Sequence, residues 1–139
     1  MNILFVCKWN WFRSKAAEAI FNKINTNKNF EAKSRGIFAY APKGKAESEF
    51  IAAVKQACKN IGISISEKHK SVDKDIIDWS DYIIIVADDV PKSLFTEFKD
   101  KKILHWKLKD VYGIALNARE KTMLEIQEKI EKFLKTLSK

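Results

Sequence analysis

Residues 2–21 read N-I-L-F-V-C-K-W-N-W-F-R-S-K-A-A-E-A-I-F. The first five, residues 2–6, form an apolar run with no alternation, which predicts a strand buried on both faces. From residue 14 the period changes. Ala17, Ile20, Phe21 and Ile24 recur on one face of a helix predicted over residues 14–26. Between strand and helix lie a thiol, two indoles, an amide and an arginine, so the turn is either an awkward connection or a site.

The rest of the chain repeats the alternation. A short second strand is predicted at 31–38, ending near Gly36, followed by a Y-A-P-K-G-K loop. Phe50, Val54, Ala57, Cys58 and Ile61 make residues 45–61 an amphipathic helix, with Gly62 as its stop. A polar link with one helical turn covers 63–79. D-Y-I-I-I-V (81–86) is the clearest strand, a short helix follows near Pro91, and K-I-L-H-W (102–106) is a fourth strand. Residues 116–138 predict a last helix with Met123, Ile126, Ile130, Phe133, Leu134 and Leu137 inward. Strands alternating with helices predict a three-layer α/β fold: a four-stranded parallel sheet flanked by helices on both faces, wound as in flavodoxin. Ligands of such sheets bind outside the carboxyl ends of the strands, here after residues 6, 86 and 106.

The chain has 139 residues, 46% of them hydrophobic, with four glycines and two prolines. That suits one domain, 1–139, and disfavours disorder. No apolar run reaches membrane-spanning length, and M-N-I-L-F-V-C is too short for a secretory signal, so a cytoplasmic protein is expected. Cys7 ends a buried strand and Cys58 lies on the apolar face of a helix, so free thiols are expected. Two cysteines and two histidines, widely scattered, provide no metal-ligand spacing; neither metal nor cofactor is expected. Lys and Arg number 26 against 18 acids, a formal charge of +8. Most lysines interleave with glutamates on helix faces, as in E-K-I-E-K-F-L-K, and serve solubility; the excess still favours anionic ligands. No basic run interleaved with aromatics points to nucleic acid, and G-x-x-x-x-G-K is missing, which excludes a nucleotide-triphosphate loop.

Cys7-x5-Arg13-Ser14 therefore sits where a ligand site is expected. A loop of this length can turn successive N–H groups toward one centre, and the helix N-terminus adds its donors and dipole. Such a cup binds a tetrahedral oxyanion, and Arg13 can close it with a planar fork. A thiol in that field is favoured as thiolate, the nucleophilic form.

These residues resemble the low-molecular-weight protein tyrosine phosphatases. V-C-K-W-N-W-F-R-S is similar to that family's V-C-x-x-N-x-x-R-S loop, A-A-E-A-I-F to its first helix, and A-K-S-R-G-I to its second strand. I-I-I-V-A-D-D resembles the third-strand ending with its Asp, and H-W-K-L-K-D-V-Y-G the late segment ending in Asp-Pro-Tyr. The resemblance implies hydrolysis of phosphomonoesters, phosphotyrosine above all, through a phosphocysteine. Cys7 would be the nucleophile, Arg13 the phosphate clamp and Asp110 the general acid and then base. Residues Cys7, Lys8, Trp9, Asn10, Trp11, Phe12, Arg13 and Ser14 would wrap the phosphate. Asn10, Ser14, Ser34 and Asp88 would brace the loop, and Trp9, Tyr40 and Tyr112 would meet the substrate ring. A supporting residue near 67–69 is either Glu67 or His69. Partners implied are a phosphorylated protein or small aryl phosphate, and inorganic phosphate or a similar oxyanion as product or inhibitor; no nucleic acid or membrane is implied.

Four positions depart from the family pattern. Trp9 replaces a Gly in the cup wall, Phe12 a second loop cysteine, Lys15 a Pro at the helix start, and Val111 the Pro after the acid. Pro confines the residue before it to extended backbone, so Val111 leaves the acid less rigidly set. These departures keep alive a non-catalytic module that binds phosphate or another anion. Arsenate reduction on the same scaffold ranks lower, because Cys58 is the sole candidate resolving thiol. Trp9 and Trp11 either pack as core rings or shape the mouth, and His105 reads as a packed, hydrogen-bonded side chain.

Overall fold

A computed structural model describes residues 1–112 and 116–137. In chain order the elements are β1 (Asn2–Cys7), α1 (Arg13–Ile24), β2 (Glu31–Gly36), α2 (Lys45–Asn60), α3 (Lys74–Trp79), β3 (Tyr82–Ile85), a 3-10 turn (Lys92–Leu94), β4 (Lys102–His105) and α4 (Leu116–Leu137). The elements match the expected pattern, with boundaries shifted by one or two residues. The short helix expected after Pro91 is only the 3-10 turn. Residue 138, expected in the last helix, and Gly113 of the D-V-Y-G segment lie outside the described residues.

The four strands form one parallel sheet in the order β2-β1-β3-β4. Ile3, Leu4, Phe5 and Val6 of β1 are all fully buried, as are Ile83, Ile84 and Ile85 of β3. Odd and even positions are equally dry, so both faces of the sheet are covered, as the unalternating sequence requires. Val54, Ala57 and Cys58 of α2 and Met123, Ile126 and Ile130 of α4 complete the core. Among the described residues no helix is long and apolar enough to cross a membrane.

The winding decides where a ligand can sit. The chain leaves β1 for β2 on one side, then returns past β1 to β3 on the other. Loops leaving β1 and β3 therefore diverge, opening the crevice at which open α/β sheets bind ligands. Cys7 pairs in register with Gly36 and Val6 with Ile85, so the exits of three strands lie side by side. Pairing of β2 continues informally past Gly36, since Ile37 N–H donates to Cys7 O (3.0 Å) and Phe38 N–H to Lys8 O (2.9 Å). Gly36 is required by space: a Cβ there would lie 2.7 Å from Asn10 N and 2.7 Å from Trp9 C. The 8–12 loop rests directly on the end of β2.

Candidate active site

The loop turns at Asn10, which adopts φ 58°, a left-handed conformation that Asn tolerates better than most residues. Its side chain is also its brace. Oδ1 accepts from the Lys70 N–H (3.1 Å), which fixes the amide so that Nδ2 faces Ser14 Oγ (2.8 Å) and Ser34 Oγ (3.2 Å). Ser34 in turn donates its hydroxyl hydrogen bond to Glu18 Oε1 (2.6 Å). Ser14 Oγ, which accepts from Asn10, lies 3.0 Å from Cys7 Sγ and keeps its own proton free to donate to a thiolate there. The expected grouping of Cys7, Asn10, Ser14 and Ser34 is thus present, and Glu18 extends it. Of the two candidates near the family position, His69 joins the loop. Its Nδ1 lies 3.0 Å from Asn10 O, and a carbonyl only accepts, so Nδ1 carries a proton. Burial, with nearby Lys15 and Lys55, lowers the His69 pKa against the opposing effect of that bond. Glu67 instead pairs with Lys55 at the surface.

The backbone of the loop has a further property. Among the described residues, the N–H groups of Lys8, Trp9, Asn10, Trp11 and Phe12 donate to no other protein group. Helix α1 then opens at Arg13 with no side-chain cap. Buried N–H groups are almost always paired, so a run of open donors leading into an uncapped helix is a feature with a use.

Arg13 is buried, and its fork is held by the loops after β3 and β4. Nη1 donates to Leu108 O (3.0 Å) and meets Asp89 Oδ1 at 3.0 Å; Nη2 meets Asp89 Oδ2 at 3.3 Å. Asp88, expected to brace Arg13, stands farther off at 3.7 Å, while its N–H donates to the same Leu108 carbonyl (2.9 Å). The nearer support is Asp89, one residue on. Burial works against the Arg13 charge, but Cys7, Asp89 and Asp110 outweigh it and hold its pKa above the ordinary value.

Asp110 is brought to the same guanidinium, Oδ2 3.7 Å from Nη2, an ion-pair rather than a hydrogen-bond distance. Its carboxyl is 10% exposed, and burial raises its pKa against the pull of Arg13, the Val111 N–H and Arg119. Val111 N–H donates to Asp110 Oδ1 at 2.9 Å, a bond that proline at this position would not make.

Cys7, Arg13 and Asp110 line one narrow pocket with Trp9, Trp11, Phe12 and Phe50, open to about 10 Å³. Trp11 is buried and ties Nε1 to Tyr40 O (2.8 Å). Trp9 stands at the mouth against Tyr40 (5.7 Å between ring centroids) and Phe38 (6.5 Å), with Lys8 Nζ 4.8 Å over its face. Tyr40 thus joins the aromatic wall. Tyr112 does not: it is 80% exposed, and none of the ring contacts among the described residues involves it. Phe12, in place of a second loop cysteine, is buried. Lys15, in place of Pro, is buried with Nζ donating to Ser66 O and Lys68 O, and burial lowers its pKa to about 8. Cys58 packs against Met123 in the core, where burial pushes its thiol up to about 11. His105 donates Nε2–H to Ala87 O (2.8 Å), as a packed side chain would.

Sequence reasoning missed Asp89, Glu18, Phe50 and Arg119. Asp89 is indistinguishable from its neighbour in sequence. Glu18 reads as an ordinary helix acid and Phe50 as an ordinary core ring. Arg119 carries a signal: it lies four, seven and eleven residues before Met123, Ile126 and Ile130, a cation on the apolar stripe of α4.

A parallel sheet with a cysteine- and arginine-bearing loop between its first strand and first helix defines a class of small phosphatase-like α/β proteins. A family model described as low molecular weight phosphotyrosine protein phosphatase matches residues 2–139, and the chain belongs to that family. It is 25% identical to a protein-arginine-phosphatase of Bacillus subtilis, over 100% of this chain and 98% of that one. The solved low molecular weight protein tyrosine phosphatase of T. tengcongensis is 32% identical at a TM-score of 0.76, covering 98% of this chain and 99% of the other. An arsenate reductase structure from Archaeoglobus fulgidus is 26% identical at a TM-score of 0.72, covering 94% and 97%.

Proposed function

We propose that this chain hydrolyses phosphomonoesters through Cys7, with phosphotyrosine in proteins or a small aryl phosphate as substrate and inorganic phosphate as product. One observation carries the reading: in the chain between the buried Cys7 and the buried Arg13 lie the five N–H groups of residues 8–12, which donate to no other protein group among the described residues. In-line attack of the Cys7 thiolate forms the S–P bond as the P–O bond to the leaving group breaks. The loop donors and Arg13 hold the three equatorial oxygens, where charge gathers. Asp110 gives its proton to the departing phenolate, then takes one from the water that cleaves phosphocysteine. Arg13 also couples binding to this proton transfer. Its charge lowers the Asp110 pKa, so a phosphate dianion that occupies the fork weakens that pull and favours the protonated acid. The aromatic mouth of Trp9, Trp11, Tyr40 and Phe50 suits an aryl leaving group.

A second substrate reading has its own support. The relatedness to a protein-arginine-phosphatase, with the carboxylates of Asp88, Asp89 and Asp110 beside the pocket, favours phosphoarginine, whose guanidinium is cationic. Arsenate reduction is disfavoured by Cys58, whose thiol is buried in the core. Paired assays decide. Wild-type protein should release phosphate from a phosphotyrosine peptide at least about tenfold faster than from the matched phosphoarginine peptide, and Cys7→Ser should release none from either. The reverse order of rates would reassign the substrate. No turnover of either, with phosphate still protecting Cys7 from alkylation, would leave an anion-binding module.

A further inference from the structure

Arg119 is the largest buried charge outside the cup. It projects from the apolar stripe of α4, 0% exposed, with its guanidinium carbon 4.6 Å from the Phe50 ring centroid and 6.0 Å from that of Phe12. Both rings line the pocket. Its Nη2 donates to Val111 O at 3.4 Å, on the residue whose N–H holds Asp110 Oδ1. One side chain therefore touches both the aromatic wall and the backbone of the acid loop. Burying a guanidinium is costly, and here the cost is offset by ring faces, a carbonyl and a nearby carboxylate.

We propose that Arg119 is the positioning residue of the acid loop: from α4 it ties the Val111 carbonyl to the Phe50 wall, and so sets where the Asp110 carboxyl stands. This rests on Asp110 as the general acid. The tie supplies what the sequence lacks after the acid. A proline would stiffen residue 110 through sterics; here Val111 instead uses both backbone groups, its N–H on Asp110 and its carbonyl on Arg119. The groups facing the Asp110 carboxyl are Arg13 from α1, Asp89 from the loop after β3, the Val111 N–H, Arg119 from α4 and Cys7 across the pocket. Arg119 lowers the Asp110 pKa, so its loss moves the carboxyl further up.

The test combines two activity-independent readings with kinetics, in Arg119→Met and Arg119→Lys proteins. The Asp110 carboxyl titration is followed by carbon-detected NMR, and Val111 amide exchange by proton NMR. In Arg119→Met the carboxyl should titrate at higher pH, with the alkaline limb of kcat moving the same way, and Val111 should exchange at least about tenfold faster. Turnover of phenyl phosphate should fall about tenfold while that of the activated dinitrophenyl ester falls less than about threefold, both with little change in KM. Arg119→Lys, which keeps the charge, should restore most of the titration. An unmoved titration or unmoved exchange in folded Arg119→Met protein overturns the proposal. The Asp110→Asn protein separates the two claims: if it shows no leaving-group dependence the acid reading fails, while titration and exchange still judge the tie.

Discussion

The two sides of the cup are built differently. Behind the thiol, Asn10 alone contacts Ser14, Ser34, Lys70 and, through its carbonyl, His69, and the chain of bonds ends on Glu18. In front, among the described residues, Asp110 has one hydrogen bond from its neighbour and an ion pair at 3.7 Å. The Cys7 thiol is fixed by a chain of side-chain hydrogen bonds, whereas the Asp110 carboxyl is steered by charge at longer range. In the proposed mechanism a rigid rear holds the attacking atom in line, which tolerates little error. A lightly held front can answer the arrival of a dianion by changing its protonation.

Breaking the front should cost the most activity. Asp110→Asn should slow phenyl phosphate by about 10²–10⁴-fold and the dinitrophenyl ester far less, measured as kcat under saturating substrate. Equal losses would show that the front does no proton transfer. Breaking the rear should cost stability as well. Asn10→Gly removes the braces but keeps the left-handed turn, for about 1–3 kcal/mol of unfolding free energy by urea titration. Asn10→Ala should cost about 1 kcal/mol more, because φ 58° strains an alanine. If the two variants match, the turn is not under strain. The smallest effect lies beside the network. Lys15 has its folded-state pKa lowered to about 8 from 10.5, so its burial costs stability wherever it is charged, and that cost fades as pH rises from about 8 to 10.5. Wild type should therefore gain stability relative to Lys15→Met across that window in pH-resolved thermal melts; parallel curves would remove Lys15 from the balance.

The sheet was legible because its two central strands are dry on both faces, which leaves no alternation to confuse with a helix. Cys7, Asn10, Arg13 and Ser14 were legible because they lie within eight residues, so strand and helix ends place them together. Residues brought in from afar were less so. Asp88 and Asp89 differ only in which way a turn points its side chains, and Glu67 and His69 only in which one faces the loop. Tyr112 lies two residues after Asp110 in sequence yet turns to solvent, 80% exposed, with no ring contact among the described residues. Arg119 was visible only as a charge on an apolar stripe, and its use depends on loops that meet α4 in space.

Gly36 carries a consequence beyond its own strand. The nearest approach of a Cβ there is to the backbone of Trp9 and Asn10, not to a flexible side chain. One methyl group at the end of β2 would press on the backbone of Trp9 and Asn10 and lift the whole turn off its seat, with Cys7 and Arg13 both still present in the sequence. In a distant relative that keeps the cysteine and the arginine, the presence of any side chain at this seat is thus a sign of a displaced cup, and a screen for degenerate copies of the fold would do well to inspect the neighbouring strand before the loop itself.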